Sequence, residues 1–177
     1  MNLEDLIASS PALSADIEKS LRLQDNRSAH WSNKDIKYFV NYFREWLVYN
    51  PPPWAGPKYI EPFDELANSD AGDVLFNNKV FSSWFISFVN ARGQYLATPQ
   101  SLEGGTLANW QSFPAVRLDS FKPPYGKAKY DSFIDIFLRV PKEPFRMDGK
   151  DNSGVTVSPA NGKIHQIYSE NIDSHFR

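Results

Sequence analysis

The chain contains no cysteine. That excludes disulfides, thiol nucleophiles and cysteine-ligated metals, and it fits a reducing, cytoplasmic setting. An excess of positive charge is equally absent: 19 Lys and Arg stand against 21 Asp and Glu, a formal net charge of -2. Nothing in that balance draws the chain to nucleic acid or to an anionic membrane surface. No window reaches the ~18 consecutive apolar residues of a membrane span. The opening MNLEDLIASSPALSADIEKS carries acids where a signal peptide would carry a basic segment and an apolar run. Phosphate-loop and zinc signatures are missing as well. Gly104-Gly105-Thr106 lacks a surrounding G-x-x-x-x-G-K-[ST] and reads as a turn before a helix. His30, His165 and His175 form neither an i, i+4 pair nor an H-x-E pattern, so no metal site is expected.

What the chain has in quantity is aromatic side chains, 13 Phe, 8 Tyr and 5 Trp in 177 residues. With 41% hydrophobic and 23% charged residues it belongs with globular chains. Folding at this length buries roughly 70% of the unfolded surface, enough for one or two compact units.

Residues Leu3 to Leu23 have helical spacing but sparse apolar positions, with Pro11 as an interruption, and are expected to form a weakly held leader. Ile36, Phe39, Val40, Phe43, Trp46 and Leu47 then fall at i, i+3, i+4, i+7, i+10 and i+11, the stripe of an amphipathic helix. Ser32 or Asn33 can cap that helix, Asp35 suits its positive end, and Pro51-Pro52-Pro53 stops it. Trp54 is expected to pack back on the bundle, a more economical account of the prolines than a polyproline ligand. Val74, Phe81, Trp84, Phe85, Phe88 and Val89 predict a second, mostly buried helix from about Ala71 to Leu96. Thr98-Pro99 ends it, and a shorter helix runs from Ser101 through Leu107 and Trp110.

From Pro114 to Lys129 prolines, a glycine and scattered lysines describe an extended connection. Phe121, Tyr125 and Tyr130 alternate there with Lys122, Lys127 and Lys129, a pattern that resembles a single-strand nucleic-acid groove but reads as a solvated linker in an acidic chain. A short helical turn with Phe133 and Phe137 on one side follows, then a polar loop, then two β-like runs, Val155 to Ser158 and Lys163 to Tyr168. Asn161-Gly162 between them is a strong hairpin signal, because a type I′ turn needs φ > 0 at both central positions. The resulting organisation is 1–113 helical, 114–129 linker and 130–177 a β-containing region.

The order of these last segments resembles the entry to the catalytic domain of phosphatidylserine decarboxylases, with its S-F-x-x-F-F-x-R, an Arg-Pro, and a strand ending in S-P-x-D-G. Ser132, Phe133, Phe137 and Arg139 match the first element, with Ile136 at an aromatic position. Arg146 matches the second, with Met147 in place of proline. Val155, Val157, Ser158, Pro159 and Gly162 match the third. The stretch VNARGQYLATPQSL, Val89 to Leu102, is similar to the helical extension of soluble members, a branch that includes amino-acid decarboxylases.

The resemblance implies an α+β fold, with a helical N-terminal region leading into the first strands of a β-rich core. It implies a carboxy-lyase made as a zymogen by autocatalytic cleavage. Its pyruvoyl cofactor forms from a serine and takes an amino acid or aminophospholipid into a Schiff base before carbon dioxide leaves. The triad aspartate that activates this serine corresponds to Asn161, the one candidate catalytic residue. An amide can accept a hydrogen bond from imidazole but cannot supply the charge that stabilises imidazolium. No Gly-Ser dipeptide occurs in the sequence. The chain is therefore expected to be an N-terminal portion, inactive alone, with the C-terminal remainder or the small pyruvoyl subunit as its partner. The alternative is a non-catalytic helical interaction module carrying a remnant of the decarboxylase segment.

Overall fold

The computed structural model describes residues 2–55 and 58–143. Arg146, Met147, Asn161, His165, His175 and both β-like runs of 155–168 lie outside them. Residues through Lys142 belong to one compact unit. It is mostly helical, with two short antiparallel strands, an arrangement compatible with the α+β class.

The N-terminal helices form because their caps are local. Asn2 accepts the Glu4 N–H at the start of α1 (Leu3–Ser9). Ser10 caps α2 (Pro11–Gln24), accepting the Leu13 N–H, and places Pro11 at the first helical position, where a missing N–H costs nothing. Pro11 thus starts a helix as well as ending one. The weakly held leader expected here is corrected by the packing, since Leu3, Leu13, Ile17 and Leu21 are all buried. Two polar residues complete that buried face of α2. Ser20 donates to the Ala71 carbonyl at 3.0 Å and Gln24 donates to Ser69 Oγ at 2.7 Å.

The stripe of α3 (Ile36–Leu47) is as the spacing predicts, but its cap is Asp35, whose carboxylate accepts the Tyr38 N–H at 2.8 Å. Ser32 and Asn33 serve the preceding loop instead. Ser32 Oγ accepts the Asn26 N–H, and Asn33 takes up a left-handed conformation with its N–H on Asp25.

After α4 (Ile60–Ala67), the single long helix expected from Ala71 to Leu96 is two, α5 (Asp70–Asn77) and α6 (Lys79–Leu96). Asn78 makes the break. Its Oδ1 accepts the N–H groups of Val80 and Phe81, and its amide donates to Asp16 at 2.7 Å. Side-chain bonding of this kind offers the backbone an alternative to continuing the helix. Gly72 sits where α5 meets the end of α4, and a Cβ there would lie 2.1 Å from the Ala67 carbonyl oxygen.

The first core gathers α1 to α6 around aromatic rings. Phe43 lies at its centre, 2% exposed, with the rings of Phe39, Trp84 and Phe88 at 5.0, 5.1 and 5.2 Å. No helix among the described residues is long and apolar enough to cross a membrane.

A second, smaller core lies beyond α6. Gly104 and Gly105 both have positive φ and lead into α7 (Thr106–Ser112), the turn before a helix that the pair predicts. The stretch expected as a solvated linker is packed: Leu118 is buried, and β1 (Phe121–Lys122) pairs antiparallel with β2 (Val140–Pro141). Between the strands runs α8 (Phe133–Phe137). Trp54 is 60% exposed and its ring contact among the described residues is Phe113 at 6.3 Å, so its expected return to the bundle is corrected. Trp110 closes the proline stretch in its place, its indole N–H donating to the Pro51 carbonyl at 2.9 Å.

Candidate functional site

Asn161 lies outside the described residues; the described part of the candidate site runs from Ser132 to Arg139. Ser132 and Asp135 close α8 with a reciprocal capping box, each side chain accepting the other's backbone N–H. Asp135 is 3% exposed, yet both oxygens of its carboxylate are hydrogen-bonded. Both oxygens receive Lys127 Nζ at 2.8 Å, and one also accepts the N–H groups of Asp131 and Ser132 at 2.9 and 3.1 Å. Burial by itself raises this carboxyl. The bonds from Lys127, Asp131 and Ser132 outweigh it and hold the group below the ordinary carboxylate range.

Phe133 anchors the helix. It is buried against Trp110, ring to ring at 5.6 Å, in a cluster with Ile136 and Leu118. Its N–H donates to Ser101 Oγ at 2.7 Å. Ser101 is fully buried and has the Leu96 and Thr98 carbonyls within reach of its own proton, at 3.0 and 2.6 Å. Phe137, expected on the same side as Phe133, touches its ring at 5.0 Å but is 59% exposed.

Arg139 closes the element. Its guanidinium lies over the Phe121 ring at 4.6 Å, and Nη1 donates to the Ile136 carbonyl at 2.7 Å, a cation satisfying the C-terminal end of α8. Its Nε and the Tyr130 hydroxyl are buried without a hydrogen-bond partner among the described residues.

This arrangement is a clasp. Ser101 and Ser132 spend their hydroxyls on carbonyls and on a helix cap, and among the described residues neither has a histidine hydrogen-bonded to it. The one described histidine, His30, lies in the first core, its Nε2 3.0 Å from the Tyr38 hydroxyl and its ring edge-on to Trp31. Burial lowers its pKa, with Lys34 adding to the effect. Nearby, Tyr42 donates to the Tyr59 carbonyl, and Tyr59 donates to Glu45 at 2.9 Å. Burial and that carboxylate push the Tyr59 phenol up to about 12, so it stays protonated. These tyrosines are donors within a core. No group of three or more His, Asp or Glu that could hold a metal occurs among the described residues.

Sequence reasoning found Ser132, Phe133, Phe137 and Arg139 and missed Asp135, Lys127 and Ser101. The S-x-x-D spacing of Ser132 and Asp135 is a capping-box signal and could have found the aspartate. Nothing local marks Ser101 as its neighbour, 32 residues away. Comparisons with protein-family models, with curated proteins and with solved structures returned no match.

Proposed function

We propose that this chain is the front part of a soluble, cytoplasmic pyruvoyl-dependent decarboxylase of the phosphatidylserine decarboxylase type, which removes carbon dioxide from an amino acid or aminophospholipid. One observation carries the reading beyond the motifs themselves. The two stretches that resemble the family, 89–102 and 130–139, are fastened to each other by the Phe133 N–H on Ser101. Such a joint is what a helical extension needs where it hands the chain to a catalytic core.

The described residues do not supply the pyruvoyl group. Their buried serines in this cluster are committed to structural hydrogen bonds, and no serine of the chain follows a glycine. The pyruvoyl group therefore belongs to the remainder or small subunit, and the helices serve as scaffold.

The test is to express the natural reading frame containing these residues, resolve it on a denaturing gel, and measure carbon dioxide released from candidate amino acids and aminophospholipids. Two subunits and release are expected. A single uncleaved band without release overturns the enzyme reading. Asn161→Asp is expected to speed self-processing by restoring a carboxylate beside the imidazole.

A second reading, a non-catalytic interaction module, draws on one observation: Val80, Ile86 and Val89 stand exposed along α6. The uncleaved outcome would favour it.

A further inference from the structure

Away from α8, the helical unit contains a cavity of about 190 Å³ between the start of α1, α3 and α6. Its walls are rings already ordered by the first core. Phe43 meets Trp84 edge-on at 5.1 Å and Phe88 edge-on at 5.2 Å, while Trp84 and Phe88 stack at 5.5 Å. Leu3, Val40, Leu47 and Ala91 complete the apolar lining, and Asn2 and Ser87 add two uncharged polar side chains. A space of this size, walled mostly by carbon, accommodates a single benzene-sized ring, as engineered cavities of about 150 Å³ do.

One lining residue is charged, and it stands where a ligand's polar end would emerge. Arg44 is 57% exposed, with Nη2 on Glu4 at 2.8 Å and Nη1 donating to Asn41 at 2.9 Å. A guanidinium carries five N–H donors, so these two contacts leave others open. The pair with Glu4 is a surface ion pair, of the kind worth about 0–1 kcal/mol, and rearranging it costs little. No acidic residue lines the cavity. An uncharged ring is therefore preferred inside, and at the rim a ligand's anionic end would share Arg44 with Glu4 or replace it.

We infer that this cavity binds a small single-ring aromatic monocarboxylate, the ring among Phe43, Trp84 and Phe88 and the carboxylate on Arg44. The ring takes edge-to-face contacts with walls that need no rearrangement, and the carboxylate takes a charge-assisted bond from a planar fork. The site lies in the scaffold, contains no residue of the α8 clasp, and needs no pyruvoyl group. It stands or falls independently of the decarboxylase reading.

The experiment uses the 177-residue chain and isothermal titration with phenylacetate, benzylamine and toluene. Phenylacetate is expected to bind saturably at one site, with benzylamine and toluene each about tenfold weaker or more. Arg44→Gln, an exposed change, is expected to bring phenylacetate down to the level of toluene. Ala91→Leu, which grows a side chain into the cavity, is expected to abolish binding with the circular dichroism spectrum retained. Should Ala91→Leu unfold the chain, the Arg44→Gln comparison still decides. No saturable binding of phenylacetate, equal binding of phenylacetate and benzylamine, or binding indifferent to Arg44→Gln would each overturn the inference, the last two showing an unselective apolar void.

Discussion

The two cores hold themselves together by different means. The first is a large aromatic assembly in which Phe43 alone has the rings of Phe39, Tyr42, Trp46, Trp84 and Phe88 within about 6 Å. Among the described residues the second has three buried apolar side chains, Leu118, Phe133 and Ile136, and relies on specific polar bonds at Asp135 and Ser101. Apolar area is additive and forgiving of geometry, whereas a buried hydrogen bond is worth its full value only while both partners stay. The first core should therefore fail by losing volume and the second by losing a single polar atom.

The largest effect is expected at Phe43. Phe43→Ala removes a ring from the centre of the assembly, and phenylalanine truncations of this kind cost about 3–5 kcal/mol. Urea denaturation should show the midpoint falling steeply while the second core unfolds with the first. An effect below about 1 kcal/mol would mean that neighbouring rings collapse into the space and that the assembly is less tightly fitted than its ring distances imply.

This contrast also explains what the sequence could tell. The stripe of α3 was legible because large apolar residues recur at helical spacing with nothing interrupting them. The docking of α2 was not, although Leu13, Ile17 and Leu21 keep that period, because Ser20 and Gln24 share the buried face and look solvent-facing until their partners Ala71 and Ser69 are known. The break at Asn78 was hidden in the same way, since an asparagine between two apolar runs is read as a tolerated polar position until its cap bonds are seen. At the candidate site the motif residues were readable, while Lys127 and Ser101 act through contacts that no local pattern encodes. Asn161, the one catalytic position the family pattern singles out, lies outside the described residues.

A middle-sized effect is expected at the clasp. Asp135→Asn keeps the shape of the capping group but removes the charge that Lys127 neutralises, for which a loss of about 1–3 kcal/mol is the usual scale. Hydrogen exchange should speed at the Phe133 and Ile136 amides and leave those of α3 unchanged. Equal acceleration in both cores would show that they open together and would remove the distinction drawn between them.

Acid should separate the cores without any mutation. The folded pKa of Asp135 lies below its unfolded value, so its contribution is complete above the ordinary carboxylate pKa and is lost as pH falls through the folded one. His30 is also lowered, but for a base this means that the unfolded chain takes up the proton first. Its penalty begins as pH drops below the ordinary histidine value of about 6.5 and grows until the folded pKa is passed. As pH drops from neutral to mildly acidic, protection from exchange relative to the unfolded chain should fall at the amides around His30 and Tyr38, while the Phe133 amide holds until the carboxylate range. The reverse order would show that His30 is protonated in the folded chain and held by Glu65.

Ser101→Ala sharpens the comparison further, because it deletes one oxygen and almost no volume. It strands the buried Phe133 N–H, at a cost of about 1–2 kcal/mol, comparable to the low end expected for Asp135→Asn.

The smallest effect is expected at Trp54, and it tests whether ring size or ring placement matters. By residue type Trp54 is the largest apolar side chain beside the prolines, yet it is 60% exposed and among the described residues its ring contact is with Phe113, at 6.3 Å. Trp54→Ser should stay within about 0.5 kcal/mol of the parent, the range of surface changes. Trp110→Phe keeps a ring against Phe133 but removes the N–H that holds the Pro51 carbonyl, and should cost about 1 kcal/mol, more than deleting Trp54 altogether. Thermal melts of the two variants decide it. If Trp54→Ser proves the more damaging, the proline stretch is held by its own tryptophan, and the bond from Trp110 is incidental.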